Sequence, residues 1–264
     1  LLEVLEVTKI FNQGSVNEKL ALNNVSLKVP PGDFIAIIGG NGAGKSTLLN
    51  CVAGVYPVER GRIFLNGEDV TGLPDHRRAR DIARIFQDPM MGTAASMTVE
   101  ENLALALKRG AKRTLRWSLN ETRRRLFREK LAMLKLGLED RLGTPVKLLS
   151  GGQRQAMTLL MTTLIQPRLV LLDEHTASLD PKTALKVLEL TRRLVEENNI
   201  TSLMVTHNME QALRVGNRTI MMHEGKIILD LQGEQRENMT VPGLIEMFHK
   251  VSGEKMQTDR ILLT

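Results

Sequence analysis

Residues 39–46 read Gly39-Gly40-Asn41-Gly42-Ala43-Gly44-Lys45-Ser46, a fit to G-x-x-x-x-G-K-[ST]. An apolar run, Phe34-Ile35-Ala36-Ile37-Ile38, precedes the motif and a helical pattern follows it. A strand that feeds a glycine-rich turn into a helix N-terminus aims several backbone N–H groups and the positive end of the helix dipole at one small volume. Phosphate oxygens suit that volume. Gly39, Gly42 and Gly44 permit close backbone approach and positive φ, Lys45 reaches for the β- and γ-phosphates, and Ser46 offers a hydroxyl to Mg²⁺. The flanking strand and helix separate this motif from an ordinary glycine-rich turn, and they point to a nucleotide held by an α/β core.

At 264 residues, with 42% hydrophobic and 25% charged residues, the chain reads as globular and long enough to bury a substantial core. Even the apolar stretch from Leu164 to Leu172 is broken by Gln166, Pro167 and Arg168, so no bilayer-spanning segment of about 20 residues is expected. The N-terminus, Leu1 to Val7, alternates like a strand and lacks the pattern of a signal peptide. Cys51 is the single cysteine, which fits a reducing compartment, and it is expected as a small buried residue on the helix after the phosphate loop.

The net charge of +6 is unevenly spread. Lys108, Arg109, Lys112, Arg113, Arg116, Arg123, Arg124, Arg125, Arg128 and Lys130 form a basic block opposed by Glu121 and Glu129. Such a block binds nucleic acid or an anionic membrane, or it forms a solvated helical face whose Arg stems pack on neighbours. Trp117 and Phe127 are its only aromatics, so stacking platforms for bases are sparse.

Along the chain, Leu2 to Phe11, Ala21 to Val29 and Phe34 to Ile38 read as strands, followed after the loop by Gly61 to Leu65 and Ile82 to Phe86. From Thr98 to Leu138 the pattern is helical, with Val99, Leu103 and Leu107 on one segment and Leu126, Lys130, Met133 and Leu134 on another. The β/α rhythm resumes with strands at Leu169 to Leu172, Thr201 to Val205, Thr219 to Met222 and Lys226 to Leu229. Helices are expected at Pro181 to Asn198, Asn208 to Val215 and Val241 to Val251. The expected architecture is a single domain. Its catalytic core is 1–87 with 160–239, a largely helical insertion covers 88–159, and a C-terminal tail covers 240–264.

Two further constellations carry chemistry. Leu169-Val170-Leu171-Leu172 ends in Asp173-Glu174, as a buried parallel strand would deliver two acids to a ligand crevice. Asp173 suits Mg²⁺, and Glu174 suits the water attacking a γ-phosphate. Ser150 and Gln153 form a capping box that opens a helix running to Gln166, where Pro167 stops it. A cap alone does not account for Gly151 and Gly152 at the first helical positions, where each costs roughly 1 kcal/mol relative to Ala. Glycines there bare the N–H groups of the helix start and make a second anion-facing terminus.

Leu149-Ser150-Gly151-Gly152-Gln153 resembles the signature motif of ATP-binding-cassette (ABC) ATPases, and its place before Leu169-Val170-Leu171-Leu172-Asp173-Glu174 is that family's order. Gln87, after Arg84-Ile85-Phe86, resembles the family's glutamine loop. Ser178-Leu179-Asp180 resembles the D-loop, and His207 in Val205-Thr206-His207 resembles the switch histidine. Phe11 occupies the place of the aromatic that stacks on adenine, where Tyr is more usual. These matches run from about Leu2 to about Asp230. Singly, Asp180 with Pro181 is also a helix start, Asn208 is also an N-cap, and Phe11 also suits a core.

The resemblance implies a P-loop NTPase core with an N-terminal antiparallel β-subdomain and an inserted α-helical subdomain. It implies ATP and Mg²⁺ as ligands. Phe11, Gly39, Gly40, Asn41, Gly42, Ala43, Gly44, Lys45, Ser46 and Thr47 would hold the nucleotide. Ser150, Gly151, Gly152, Gln153 and Asp180 would meet it from a second copy of the chain, head to tail. Ser46, Gln87 and Asp173 would serve the metal, and Glu174, His207, Lys45 and Gln87 the hydrolysis. His175 stands where the family usually has Pro, either as a tolerated loop residue or as a pH-dependent tuner of Glu174. Implied partners are transmembrane permease subunits, with an extracellular solute-binding protein indirectly. The chain would then sit peripherally on the cytoplasmic membrane face.

The wording Phe86-Gln87-Asp88-Pro89 and Asp173-Glu174-His175-Thr176 resembles cassettes of solute importers, with an amino-acid-like solute expected. An export cassette shares every motif. A nucleic-acid ABC protein would need long coiled coils between the phosphate loop and the signature, or two cassettes in one chain. Only 105 positions separate Lys45 from Ser150, and no nucleic-acid partner is expected.

Overall fold

The computed structural model describes residues 1–109 and 119–252. In chain order the strands are β1 Leu2–Phe11, β2 Lys19–Val29, β3 Phe34–Ile38, β4 Arg60–Leu65, β5 Glu68–Asp69, β6 Ile82–Ile85, β7 Leu169–Asp173, β8 Thr201–Val205, β9 Arg218–His223 and β10 Lys226–Gln232. The α-helices are α1 Lys45–Ala53, α2 Asp75–Arg78, α3 Val99–Leu107, α4 Glu121–Ala132, α5 Gly151–Thr163, α6 Pro181–Glu197, α7 Met209–Arg214, α8 Glu234–Glu237 and α9 Val241–Ser252. The chain divides into two compact units, Leu1–Arg78 with Ile200–Thr264, and Ala79–Asn199. The segment 88–159 lies within the second.

In the first unit an antiparallel sheet runs β2-β1-β4-β5. Its alternation is visible in β1, where Leu2, Val4 and Val7 are buried beside exposed Leu5 and Glu6. A second set of strands in this unit has the order β10-β9-β3-β8. There β3 is central, parallel to β8 and to β9, while β10 closes antiparallel on β9. All five residues of β3 are buried, as expected of a central parallel strand covered on both faces. Arg218 on β9 joins this set to its surroundings: it grips Asp230 on β10 through Nε (2.7 Å) and donates to the Lys28 carbonyl on β2 (2.8 Å).

In the second unit β6 and β7 pair in parallel, Ile82 opposite Leu169 through Ile85 opposite Leu172. Helices α3, α4, α5 and α6 accompany them. In α6 the buried residues Ala184, Val187, Leu188, Thr191, Leu194 and Val195 follow a period of three to four, and Leu190 widens the buried stripe. Pro181 opens that helix, and Asp180 caps it by accepting from the Thr183 N–H (3.1 Å).

Two sequence expectations need correction. On α4 the buried residue pair is Phe127 and Leu131, followed by Leu134, whereas Leu126, Lys130 and Met133 are exposed. Two apolar stripes overlap there, and the one carrying the bulky aromatic wins the core because it buries more apolar area. Helix α5 stops at Thr163, not Gln166; Gln166 itself has a left-handed backbone (φ 45°), which breaks the helix ahead of Pro167. His175 lies in the turn between β7 and α6, as a loop residue would, and it is buried there, 1% exposed.

Of the basic block, Lys112, Arg113 and Arg116, with Trp117, lie outside the described residues, as does the tail beyond Ser252. The described remainder fits a solvated, stem-packed face. Arg124 pairs with Glu100 (2.8 Å), and Arg125 with Glu129 (3.2 Å). Arg109 donates to the backbone carbonyls of Ala79 and Ile82, and burial lowers its pKa. No helix among the described residues is long and apolar enough to cross a membrane.

Candidate active site

Strand β3 runs into the phosphate loop, and its parallel neighbour β8 runs into Thr206-His207. Both segments therefore leave from the C-terminal edges of adjacent strands, where open α/β sheets present ligand sites. The Thr206 N–H donates to the Ile37 carbonyl (3.1 Å), fixing the exit of β8 beside that of β3. Beyond it, the Thr206 hydroxyl accepts from Asn208 N–H (3.1 Å) and Asn208 caps α7 through Gln211 N–H (2.9 Å). His207 is thus held between a strand end and a capped helix.

The loop itself has left-handed or strongly positive φ at Gly39 (145°), Gly42 (79°) and Gly44 (100°). Gly44 is the N-cap of α1, and a Cβ there would lie 2.6 Å from the Ala21 carbonyl oxygen, so only glycine fits. Lys45 is 6% exposed and its ammonium donates to the carbonyls of Gly39 (2.8 Å) and Gly40 (3.0 Å). A buried cation is held at the mouth of a helix start, with Gly40, Asn41, Gly42 and Ser46 exposed around it, Thr47 half-buried and Ala43 buried. This cradle fits a polyphosphate.

Phe11, at the end of β1, is half-buried. Its ring meets Tyr56 edge-on at 5.2 Å, and Lys9 Nζ stands 5.2 Å from its centroid. Lys9 is itself held by Glu59 at 2.7 Å.

The second unit carries the other site residues. Asp173 ends β7, and Glu174 follows with φ 45°, a left-handed backbone that turns the chain sharply off the strand. Ala177 N–H then donates to the Glu174 carbonyl (2.9 Å), closing the turn. His175, next along, contacts Thr191 Oγ1 through Nε2 at 2.9 Å. Because the Thr191 hydroxyl donates to the Val187 carbonyl (2.8 Å), Nε2 carries the proton. Burial lowers the His175 pKa to about 4, so the ring is neutral around neutral pH and does not act there as a charge switch on Glu174.

Gln87 is exposed just after β6, and its backbone carbonyl accepts from the Ser178 hydroxyl (3.0 Å), which links the glutamine segment to the turn before Asp180. Hydrogen bonding from Thr183, through side chain and backbone, lowers the Asp180 pKa and keeps the carboxylate charged. At the start of α5 the capping box is formed: Ser150 Oγ accepts from Gln153 N–H (3.3 Å), and Gln153 Oε1 from Ser150 N–H (3.1 Å). Gly151 is exposed and Gly152 buried. A Cβ on Gly152 would lie 2.3 Å from Thr183 Cγ2, so this glycine lets the start of α5 lie directly on α6.

Sequence reasoning missed two residues. Gln155 is fully buried on α5 and donates to the Phe86 carbonyl (3.3 Å), tying the signature helix to the residue before Gln87. It shares a buried face with Thr158 and Thr162, so its local sequence does not single it out. Arg78 reaches the carbonyls at the end of α1, and nothing in its local sequence distinguishes it from Arg77.

Among the described residues no group of three or more His, Cys, Asp or Glu is arranged to hold a metal. The donor set expected for Mg²⁺, the Ser46 hydroxyl, Gln87 and one carboxylate of Asp173, is of the oxygen type this ion takes when it shares substrate phosphates and water.

The ABC transporter family model matches residues 22–177. The tyrosine transport ATP-binding protein of Clostridioides difficile (strain R20291) is 43% identical over 248 residues, which cover 94% of this chain and 98% of that protein. A methionine import ATP-binding protein of Corynebacterium glutamicum is 34% identical across 84% of this chain; the match spans 60% of that protein's length. Among solved structures, a dimeric ATP-binding cassette in a post-hydrolysis state with ADP and Pi matches with a TM-score of 0.75 and 29% identity. That match covers 88% of this chain and 98% of the cassette.

Proposed function

Because the chain belongs to the ABC transporter family, we propose that it is the ATP-hydrolysing subunit of a solute importer, working as a head-to-tail pair of copies under membrane-embedded permease subunits. The chain is an ATPase. The observation that carries the reading is the phosphate loop, where Lys45 sits 6% exposed among glycine carbonyls at the start of α1.

In this reading the Lys45 ammonium exchanges its carbonyl partners for β- and γ-phosphate oxygens, and the N–H groups of residues 42–47 surround the β-phosphate. Phe11 offers its ring to adenine. Ser46, Gln87 and Asp173 are the residues that would hold Mg²⁺, which supplies charge neutralisation to the phosphates when bound. Glu174 orients water and accepts its proton as the water oxygen attacks the γ-phosphorus and the β–γ bridging oxygen leaves with ADP. His207 steadies the γ-phosphate by a hydrogen bond.

Ser150, Gly151 and Gly152 of a second copy close on the same phosphate, with Gln153 holding their turn by the capping box and Asp180 beside it. Hydrolysis removes the group that bridges the two copies. For the transported solute we favour an amino acid, on the strength of the 43% relative named for tyrosine transport. Delivery by an extracellular solute-binding protein and a peripheral position at the cytoplasmic face belong to the same proposal. So does the division into a catalytic core, 1–87 with 160–239, a helical subdomain, 88–159, and a tail, 240–264.

The test is Mg²⁺-dependent ATP hydrolysis by the purified chain against its concentration, alongside Glu174→Gln. The expected result is a rate rising faster than linearly and falling about 10²–10⁴-fold in the variant. Wild-type turnover by Glu174→Gln would remove Glu174 from the role of base. A strictly linear rate would remove the obligate pair.

A further inference from the structure

We propose that Lys19 is a second cation of the nucleotide site, contacting the phosphates from the β2 side of the loop opposite Lys45. The inference rests on the nucleotide reading of the phosphate loop. Strand β2 opens at Lys19, which is paired with Phe11 on β1, so the two residues sit side by side at one end of the ladder. From there β2 runs along the loop. The Lys19 ammonium lies 3.8 Å from the point a Cβ on Gly42 would occupy, and the Ala21 carbonyl lies 2.6 Å from the corresponding point on Gly44. Lys19 therefore stands between the aromatic at the end of β1 and the turn of the phosphate loop.

The charges around it are committed elsewhere. Glu18, its neighbour in sequence, accepts from the Gly14 N–H (2.7 Å), and Lys9 is bound to Glu59 (2.7 Å). Lys45 is buried against loop carbonyls, whereas Lys19 is exposed with its four-carbon stem free to follow a ligand. An ammonium 3.8 Å from the Cβ point of Gly42, beside the turn that carries Lys45, reinforces one electrostatic preference, for an anion. A nucleoside polyphosphate with its base at Phe11 and its terminal phosphates at Lys45 passes its diphosphate under Lys19. The contact persists from bound nucleotide to product, so it strengthens binding of ATP and ADP alike.

The experiment is calorimetric titration of ADP and, separately, adenosine into the full chain and into Lys19→Gln, Lys19→Arg, Lys19→Glu and Lys45→Ala. For ADP at low salt, Lys19→Gln is expected to raise Kd about fivefold, the size of one exposed charge-assisted contact. Lys19→Glu raises it further, Lys19→Arg restores it, and the differences shrink at high salt. Adenosine affinity stays the same in all Lys19 variants. Unchanged ADP affinity in Lys19→Gln and Lys19→Glu overturns the proposal, and so does an equal loss for ADP and adenosine, which would assign the stem to the base or sugar. If Lys45→Ala also binds ADP like wild type, the nucleotide reading of the loop itself fails and the role of Lys19 falls with it.

Discussion

Arg78 offers a strong test of how α1 is held behind the phosphate loop. Its side chain is 4% exposed, and all its polar reach is spent on backbone carbonyls: Cys51 (2.8 Å) and Val52 (2.9 Å) through Nη1, Thr71 (2.8 Å) through Nη2 and Leu73 (2.8 Å) through Nε. Cys51 and Val52 lie in the last turn of α1, where carbonyls have no partner within the helix and the dipole favours a cation. Gly54 packs against the guanidinium, since a Cβ there would lie 2.7 Å from Nε.

A hydrogen bond to a charged donor contributes about 1.5–3 kcal/mol, and four such bonds are not additive. Burial also disfavours the charge, as the lowered pKa of Arg78 indicates, and that desolvation cost is relieved when the side chain goes. The balance for Arg78→Ala is a loss of about 3–4 kcal/mol, a large share of a typical stability of about 5–15 kcal/mol. Arg78→Lys keeps the charge but cannot reproduce the planar fork, so about 2 kcal/mol is expected. Arg78→Met keeps the apolar stem but removes the donor from the Val52, Thr71 and Leu73 carbonyls, leaving the Cys51 carbonyl only the Gly54 N–H (3.1 Å), and should fall near the alanine value. Urea unfolding followed by far-UV circular dichroism, compared at equal m-value, reads all three. Stability of Arg78→Met within about 0.5 kcal/mol of wild type would refute the reasoning, because the carbonyls would then not need their donor.

Glu59 is expected to tie stability to acid. Burial alone would raise its pKa, but the Lys9 ammonium and the Ile10 N–H outweigh it and hold the carboxyl below its usual 4.5. A lowered carboxylate contributes stability above its unfolded pKa and loses it as pH falls below that value. Glu59→Gln should therefore cost about 2 kcal/mol at neutral pH, by leaving the 6%-exposed Lys9 short of its partner. The gap should narrow as pH drops below 4.5; parallel pH profiles for the two proteins would contradict this. Cys51 is fully buried with its thiol pushed up to about 12, so a thiol reagent should label the native chain only as fast as it unfolds. Rapid native labelling would place the sulfur at the surface. At the start of α5, Gly152→Ala should destabilise the second unit by about 1–3 kcal/mol through overlap with Thr183, and Thr183→Ser, which removes the offending methyl, should recover part of it. Failure of that rescue in the double variant would mean that the strain lies elsewhere.

The strands and the helix starts were legible because their causes are local. Five consecutive apolar residues specify β3, and Ser150, Asp180 and Asn208 cap their helices as their neighbours require. The phosphate loop and the Asp173-Glu174 pair were legible for the same reason, since spacing along the chain is spacing in the turn. Other features depended on what lies across the unit. Periodicity on α4 offered two apolar stripes, and only the packing that buries Phe127 and Leu131 chose between them. His175 lies in a turn, as its place in the chain suggested, but its burial was decided by a partner 16 residues away, Thr191.

Arg77 and Arg78 are indistinguishable in composition, and the guanidinium that caps α1 was chosen by carbonyls 26 and 27 positions upstream. The sequence by itself determined which backbone turns can gather phosphate and which acids end a buried strand, because those depend on local dihedral freedom and alternation. Tertiary structure alone decided which polar side chains are buried and which partner satisfies each of them, because desolvation and hydrogen bonding there are set by groups remote along the chain.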